Sequence, residues 1–159
     1  MLYLVRHAKA GNRQAFKGDD RLRPLSGPGR RQAKALSVRL APLVREAGAT
    51  TLLSSPSIRC VETLQPLSKA LETVIETDDR LAEGQSYVDV LEMLSLLPDG
   101  TVLCSHGDII PETITALERR GCTFTGVADW RKASVWMLER NDDGAILSAE
   151  SWPPPDADK

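Results

Sequence analysis

The sequence predicts an α/β fold: a three-layer α/β/α sandwich with a mostly parallel central sheet and a C-terminal antiparallel hairpin. Three observations predict it. Short apolar runs alternate with segments whose apolar residues recur every three or four positions, the pattern of strands interleaved with amphipathic helices. Strand–helix–strand units close as right-handed crossovers, which makes the strands parallel and puts helices on both faces. Near the C-terminus the alternation gives way to two strand-like segments flanking Asn141-Asp142-Asp143-Gly144, a hairpin turn.

Taken in order, Leu2 to Val5 is apolar and short, as a buried strand is. Residues 9–25 are polar, basic and irregular, and are expected to form a long loop. Ser26 offers an N-cap and Pro28 sits in the first turn; Ala33, Leu36, Leu40 and Leu43 then share one helix face, which Gly48 ends. Thr50 to Leu53 is a second strand. Val61, Leu64, Leu67 and Leu71 outline a second helix, which Pro66 is expected to kink or split. Val74-Ile75 reads as a short third strand. Tyr87, Leu91, Leu94 and Leu97 give a third helix closed by Pro98-Asp99-Gly100. Thr101 to Cys104 is again strand-like, and Ile110, Ile114 and Leu117 mark a fourth helix that stops near Gly121. Residues 134–138 and 145–149 form the hairpin. The Pro- and Asp-rich tail from Pro153 is expected to be disordered, so residues 1–152 read as a single domain and 153–159 as its tail. There are no repeats and no linker.

The bulk properties narrow the function. A chain of 159 residues is long enough to bury one real core. A net charge of −2 leaves no electrostatic footprint for nucleic acid and no pull toward a membrane surface. No stretch approaches a transmembrane span, and the N-terminus lacks the basic, apolar and small-residue regions of a signal peptide. Cys60, Cys104 and Cys122 are odd in number and widely spaced, with no CxxC pattern; they read as buried small hydrophobes rather than a disulfide framework or a zinc site. A cytoplasmic protein is expected.

In parallel α/β sheets, ligands bind beyond the C-terminal strand ends. Three segments fall there: Arg6-His7, Ser54-Ser55-Pro56-Ser57-Ile58-Arg59, and Ser105-His106-Gly107-Asp108. Both histidines of the chain should then face one crevice with at least two arginines. Guanidinium is a permanently charged fork suited to phosphate oxygens, and helix N-termini add N–H donors. A neutral imidazole in that setting is an available nucleophile, and surrounding positive charge is expected to lower its pKa and keep it unprotonated.

Four segments also carry a family resemblance. "LVRHAKAG" resembles the Arg-His-Gly signature of the histidine phosphatase superfamily, the phosphoglycerate mutase-like fold. "TTLLSSPSIRCVET" resembles its strand, Ser-Ser-Pro and helix-opening arginine with a downstream Thr. "TVLCSHGDII" resembles its second His-Gly strand end, and "LSGPGRRQA" its Leu-Thr-x-x-Gly-x-x-Gln-Ala helix start. The matches run in the family's order over roughly residues 1 to 120. Size and the opening "RHAKAG…DDRLRPLS" look most like the short branch, with SixA-type phosphohistidine phosphatases and the phosphatase-like domain that follows a Nudix hydrolase domain in some proteins.

That resemblance implies roles. His7 is the nucleophile that forms a phosphohistidine; Arg6, Arg59 and His106 form the phosphate pocket; and Glu83, in "DDRLAEG", is the proton donor. Asp108 competes for the last role, although Gly107 separates it from His106, and capping the following helix is its other reading. In the basic loop, Lys9, Arg21 and Arg23, with Arg13 and Lys17, could meet a second phosphate or a nucleotide's phosphates, or simply be solvated. Ser54, Ser55 and Ser105 are candidate hydroxyl donors. Trp130, Trp136 and Trp152 are expected to pack rather than stack on bases. Ala8 stands where the family has Gly, Ala10 where many members have Thr, and Asn12 is out of register with the mutase motif; these differences and the short chain weaken a mutase reading.

The leading expectation is a metal-independent phosphatase that needs no cofactor and acts on a phosphomonoester, a protein phosphohistidine or a nucleotide phosphate. The expected partners are a phosphorylated small molecule, a nucleotide or a phosphohistidine protein, with no nucleic acid and no membrane, the protein itself being a monomer or weak homodimer. A phosphoryl-transferring mutase and a non-catalytic phosphate-binding partner of a Nudix-type hydrolase are the alternatives.

Overall fold

The computed structural model describes residues 1–48 and 50–156. Strands β1 (Leu2–Arg6), β2 (Leu52–Ser54), β3 (Ile75–Thr77), β4 (Val102–Ser105), β5 (Thr123–Thr125), β6 (Val135–Arg140) and β7 (Ile146–Trp152) form one sheet in the order β3-β2-β4-β1-β6-β7-β5. Helices α1 (Gly27–Ala47), α2 (Ile58–Leu71), α3 (Tyr87–Leu96) and α4 (Ile109–Arg119) connect them. β1 through β4 are mutually parallel, and β6 pairs antiparallel with both β1 and β7. This is the predicted α/β class with its C-terminal hairpin.

The pleat divides the core in two. Leu2, Leu4, Leu53, Leu103, Trp136 and Leu138 pack on one side with residues of α3 and α4. Tyr3, Val5, Leu52, Val102, Cys104 and Val135 pack on the other with residues of α1 and α2. Side chains alternate across a strand, so each inner strand feeds both cores and reads in sequence as a continuous apolar run.

Three elements differ from the sequence reading. α2 runs unbroken through Pro66: Leu64 and Leu67, each 1% exposed, bury the flanking turns, and that packing outweighs the missing N–H bond. β5 was not predicted; it is three residues long and becomes a strand by pairing parallel with β7, a long-range contact with no local signature. The loop over residues 9–25 contains a 3₁₀ turn at Asp20–Leu22 and a bridge between Ala10 and Leu25. Residues 153–156 of the expected tail carry no regular structure, and 157–159 lie outside the described residues. No helix among the described residues is long and apolar enough to cross a membrane.

Candidate active site

Strand register builds the centre of the site. β1 and β4 are parallel neighbours with Arg6 opposite Ser105, so the next residues, His7 and His106, leave adjacent strand ends together. Their ring centroids lie 5.4 Å apart at 64°. β2 flanks β4 with Ser54 opposite Cys104, which delivers Ser55 and the start of α2 to the same edge.

His7 is 5% exposed. Its Nδ1 lies 2.8 Å from the Ala8 carbonyl oxygen. A carbonyl can only accept, so Nδ1 carries the proton and Nε2 keeps its lone pair. Burial lowers the ring's pKa from 6.5 to about 3; the Ala8 carbonyl opposes that shift, while His106, Arg59 and Lys132 reinforce it. Removal of the ring from water comes first, ahead of the nearby charge that the sequence suggests. Between pH 6.5 and about 3 the unfolded chain binds a proton here that the folded chain does not. Stability therefore falls as pH drops through that window, by at most about 1.4 kcal/mol per pH unit, and is indifferent to this group above it. By NMR, the imidazole missing from the spectrum of His7→Ala should not titrate from about pH 8 to about pH 5; a midpoint near the ordinary histidine value would contradict this geometry.

The backbone after His7 is clamped from two helices. Thr63 Oγ1 of α2 accepts from Ala8 N at 3.0 Å. At α1, Gln32 Oε1 accepts from Lys9 N at 3.1 Å, while Ser26 donates to Lys9 O from its N–H at 2.9 Å and its hydroxyl at 3.1 Å. Gly29 completes the fit: a Cβ there would stand 1.8 Å from Lys9 O. The Ser-x-x-Gly-x-x-Gln pattern and the Thr downstream of Arg59 are thus fixtures that hold the His7 turn.

His106 is 1% exposed. Ser55 Oγ lies 2.8 Å from its Nε2 and Cys60 Sγ 3.5 Å, leaving Nδ1 without a protein partner among the described residues. Arg6 Nε and Arg59 Nε are likewise buried and without a partner among the described residues. Buried donors left unpaired each cost about 1–3 kcal/mol, so two arginine N–H groups and an unpartnered imidazole nitrogen near His7 ask for an anionic ligand with several oxygens. Arg6 donates from Nη1 to Trp130 O and lies flat on Gly107, where a Cβ would come within 2.6 Å of the guanidinium. Arg59, 1% exposed, donates to Asp20 O at 2.9 Å and to Glu83 Oε2 at 3.1 Å.

A cavity of about 540 Å³ opens over Arg6, His7, His106 and Gly107, lined also by Glu83, Asp108, residues 10–13 and Arg23 of the N-terminal loop, and Lys132; Arg59 lies behind Glu83. Glu83 takes Arg13 on Oε1 and Arg59 on Oε2, both at 3.1 Å. Asp108 is the N-cap of α4, accepting from Ile109 N at 2.9 Å, and its other oxygen accepts from Gly84 N at 2.7 Å.

Of the predicted site residues, the structure therefore brings Arg6, His7, Arg59, Glu83, His106, Asp108 and Arg23 together. Arg23 is buried, donating to Asp20 at 2.8 Å and to Gly11 O at 2.6 Å. Ser55 sits behind His106 rather than on the cavity wall. Arg21 is not at the cavity; it is exposed and clasps Asp19 at 2.7 Å. The Lys9 side chain borders an adjoining depression instead, beside Gln32 and Pro154. Trp136 and Trp130 stack with centroids 4.8 Å apart, and Trp152 packs under Arg39, so the tryptophans pack as expected.

Lys132 escaped the sequence reading. It lies outside every motif, in the irregular stretch before β6. The available signal was directional: a hairpin strand antiparallel to β1 starts at the edge where β1 ends, so the residues ahead of it reach the histidines.

The sequence model described as "Histidine phosphatase superfamily (branch 1)" matches residues 2–87. A curated relative, the 8-oxo-(d)GTP phosphatase of Mycolicibacterium smegmatis (strain ATCC 700084 / mc(2)155), is 36% identical over 96% of this chain, which spans about half (48%) of that protein's length. The fold matches the putative phosphohistidine phosphatase SixA from Agrobacterium tumefaciens (TM-score 0.69, 21% identity, 87% of this chain and 90% of that one). It also matches a protein histidine phosphatase SixA complexed with tungstate (TM-score 0.68, 15% identity, 98% and 96%). The two-histidine edge, its arginines and these similarities agree: the chain belongs to branch 1 of the histidine phosphatase superfamily.

Proposed function

We propose that the chain is a phosphatase that works without a metal ion through a phosphohistidine on His7. The observation that carries the reading is the buried, neutral His7, with Nδ1–H fixed by Ala8 O, beside ring and guanidinium nitrogens of His106, Arg6 and Arg59 that have no partner among the described residues. Nε2 attacks phosphorus in line; the P–N bond forms as the bond to the leaving oxygen or nitrogen breaks. Glu83 gives the leaving atom its proton. Water then attacks the phosphorus, Glu83 takes the water's proton, and the P–N electron pair returns to Nε2. The two guanidiniums and His106 hold the equatorial oxygens throughout, supplying the positive charge that a metal would otherwise bring.

Glu83 is the better acid on geometry. Both oxygens of Asp108 serve backbone N–H groups, and one of those belongs to Gly84. Asp108 thus holds the loop that presents Glu83. For Glu83 to deliver a proton, one guanidinium must let go; Arg13, 60% exposed at its side chain, is free to swing onto an incoming phosphate.

The substrate is a phosphate monoester, a phosphoramidate or a nucleotide phosphate, and the relative's name favours the last. The test is a hydrolysis panel of p-nitrophenyl phosphate, a phosphohistidine peptide, nucleoside di- and triphosphates and sugar phosphates, with and without EDTA. Turnover that EDTA leaves intact supports the proposal; no turnover on any member overturns it. Glu83→Gln should cost about 100-fold or more in kcat on substrates with poor leaving groups, and Asp108→Asn about tenfold or less. The reverse order moves the acid to Asp108.

A further inference from the structure

We propose that Lys132 binds a second anionic phosphate beyond the one His7 attacks, so that the site prefers phosphoanhydrides or bisphosphates to lone monoesters. The inference rests on the phosphatase reading above.

Sheet order places it. β1 lies between β4 and β6, so His106 flanks His7 on one side and the chain entering β6 flanks it on the other. Lys132 belongs to that second wall and lines the His7 cavity. Its position is anchored to the nucleophile's own backbone: the N–H of Ala133 is shared between Arg6 O and His7 O, both at 3.1 Å. Ala133 is fully buried and holds φ at +68°, a conformation costly for a residue with a Cβ, so the turn is set by its surroundings.

Charge then separates Lys132 from Arg13, Arg23 and Arg59, while Arg6, also without a carboxylate partner among the described residues, donates to Trp130 O. Arg13, Arg23 and Arg59 each pair with Asp20, and Arg13 and Arg59 also with Glu83. No carboxylate lies within salt-bridge distance of Lys132 among the described residues. Burial lowers its ammonium below the usual lysine range, and Arg6, Arg23, Arg13 and Arg59 add to that. An ammonium facing four guanidiniums with no anion of its own is a liability unless a ligand supplies one. The transferred phosphoryl group already has Arg6, Arg59 and His106. Space agrees: about 540 Å³ falls in the range of ~300–1,000 Å³ typical of pockets for drug-sized ligands.

The experiment compares the parent with Lys132→Ala and Lys132→Arg, using a nucleoside diphosphate, a sugar bisphosphate and p-nitrophenyl phosphate. Lys132→Ala should lose about 100-fold in kcat/KM, mostly in KM, on substrates carrying two phosphates, and about fivefold on the monoester. Lys132→Arg should recover most of the loss. Loss on the diphosphate alone identifies a phosphoanhydride; loss on both identifies any second phosphate. Equal losses on all three overturn the proposal. Calorimetry with inorganic pyrophosphate and inorganic phosphate reads the same subsite without turnover when each protein also carries His7→Ala: the parent so modified should prefer pyrophosphate by about tenfold or more, and adding Lys132→Ala should erase that preference. A lost preference together with no hydrolysis of any substrate would leave the subsite standing and sink only the phosphatase reading. No preference in the parent sinks the subsite.

Discussion

His7→Ala is expected to lower kcat by a factor on the order of 10,000 or more, with the protein still folded. In the proposed reaction Glu83 moves the proton and the arginines and His106 hold the phosphate; the attacking lone pair belongs to this ring. Removing a nucleophile leaves residual catalysis from binding and charge stabilisation alone, and the other members cannot compensate because they act as a unit. The variant should still bind inorganic phosphate, since Arg6, Arg59 and His106 remain. It should also be less sensitive to acid: the group whose folded pKa lies near 3 is gone, and with it the stability lost between pH 6.5 and about 3. Circular dichroism, thermal unfolding at two pH values and steady-state kinetics check the three claims. Residual activity within tenfold of the parent would remove His7 from the reaction.

The second large effect is structural. Gly29→Ala should destabilise the fold by about 3 kcal/mol, a drop of roughly 10 °C in Tm for a chain of this size. The added Cβ would lie 1.8 Å from Lys9 O and 2.8 Å from Lys9 C. These are main-chain atoms, held in place by Ser26 and Gln32, so no side chain can swing aside to relieve the clash. Relief requires moving the backbone two residues from His7, so kcat should fall as well. Gly27→Ala is the control: its nearest neighbour is Arg31 Nη1 at 3.8 Å, and it should change stability by less than about 0.5 kcal/mol. If the two variants melt alike, the clamp on the His7 turn is not tight.

The sequence carried the parts of this picture that depend on local pattern. Strand–helix alternation is a local signal, and the rule that ligands gather at C-terminal strand ends turned it into a site containing His7, Arg59 and His106. What it could not carry is pairing. The adjacency of β1 and β4, which makes two histidines 99 residues apart neighbours, is a property of the assembled sheet. So is the direction of β6, which brings Lys132 to the site, and the pairing that makes a strand of Thr123–Thr125. Individual side chains of like charge also take different places. Arg21 and Arg23 look alike in the sequence, yet one clasps Asp19 in solvent and the other is buried against Gly11. The glycine and glutamine after Ser26 were legible as a motif; their mechanical purpose appeared only with the Lys9 backbone seated on them.

The proposed reaction requires a phosphorus–nitrogen bond at one ring. Glu83→Gln, mixed with a turned-over substrate and quenched in alkaline denaturant, should gain the mass of one PO₃ group, labile to acid, and peptide sequencing should place it on His7. The same quench of His7→Ala should show none. A phosphoryl group found on any other residue, or steady turnover with no phosphoenzyme at any quench time, would contradict it.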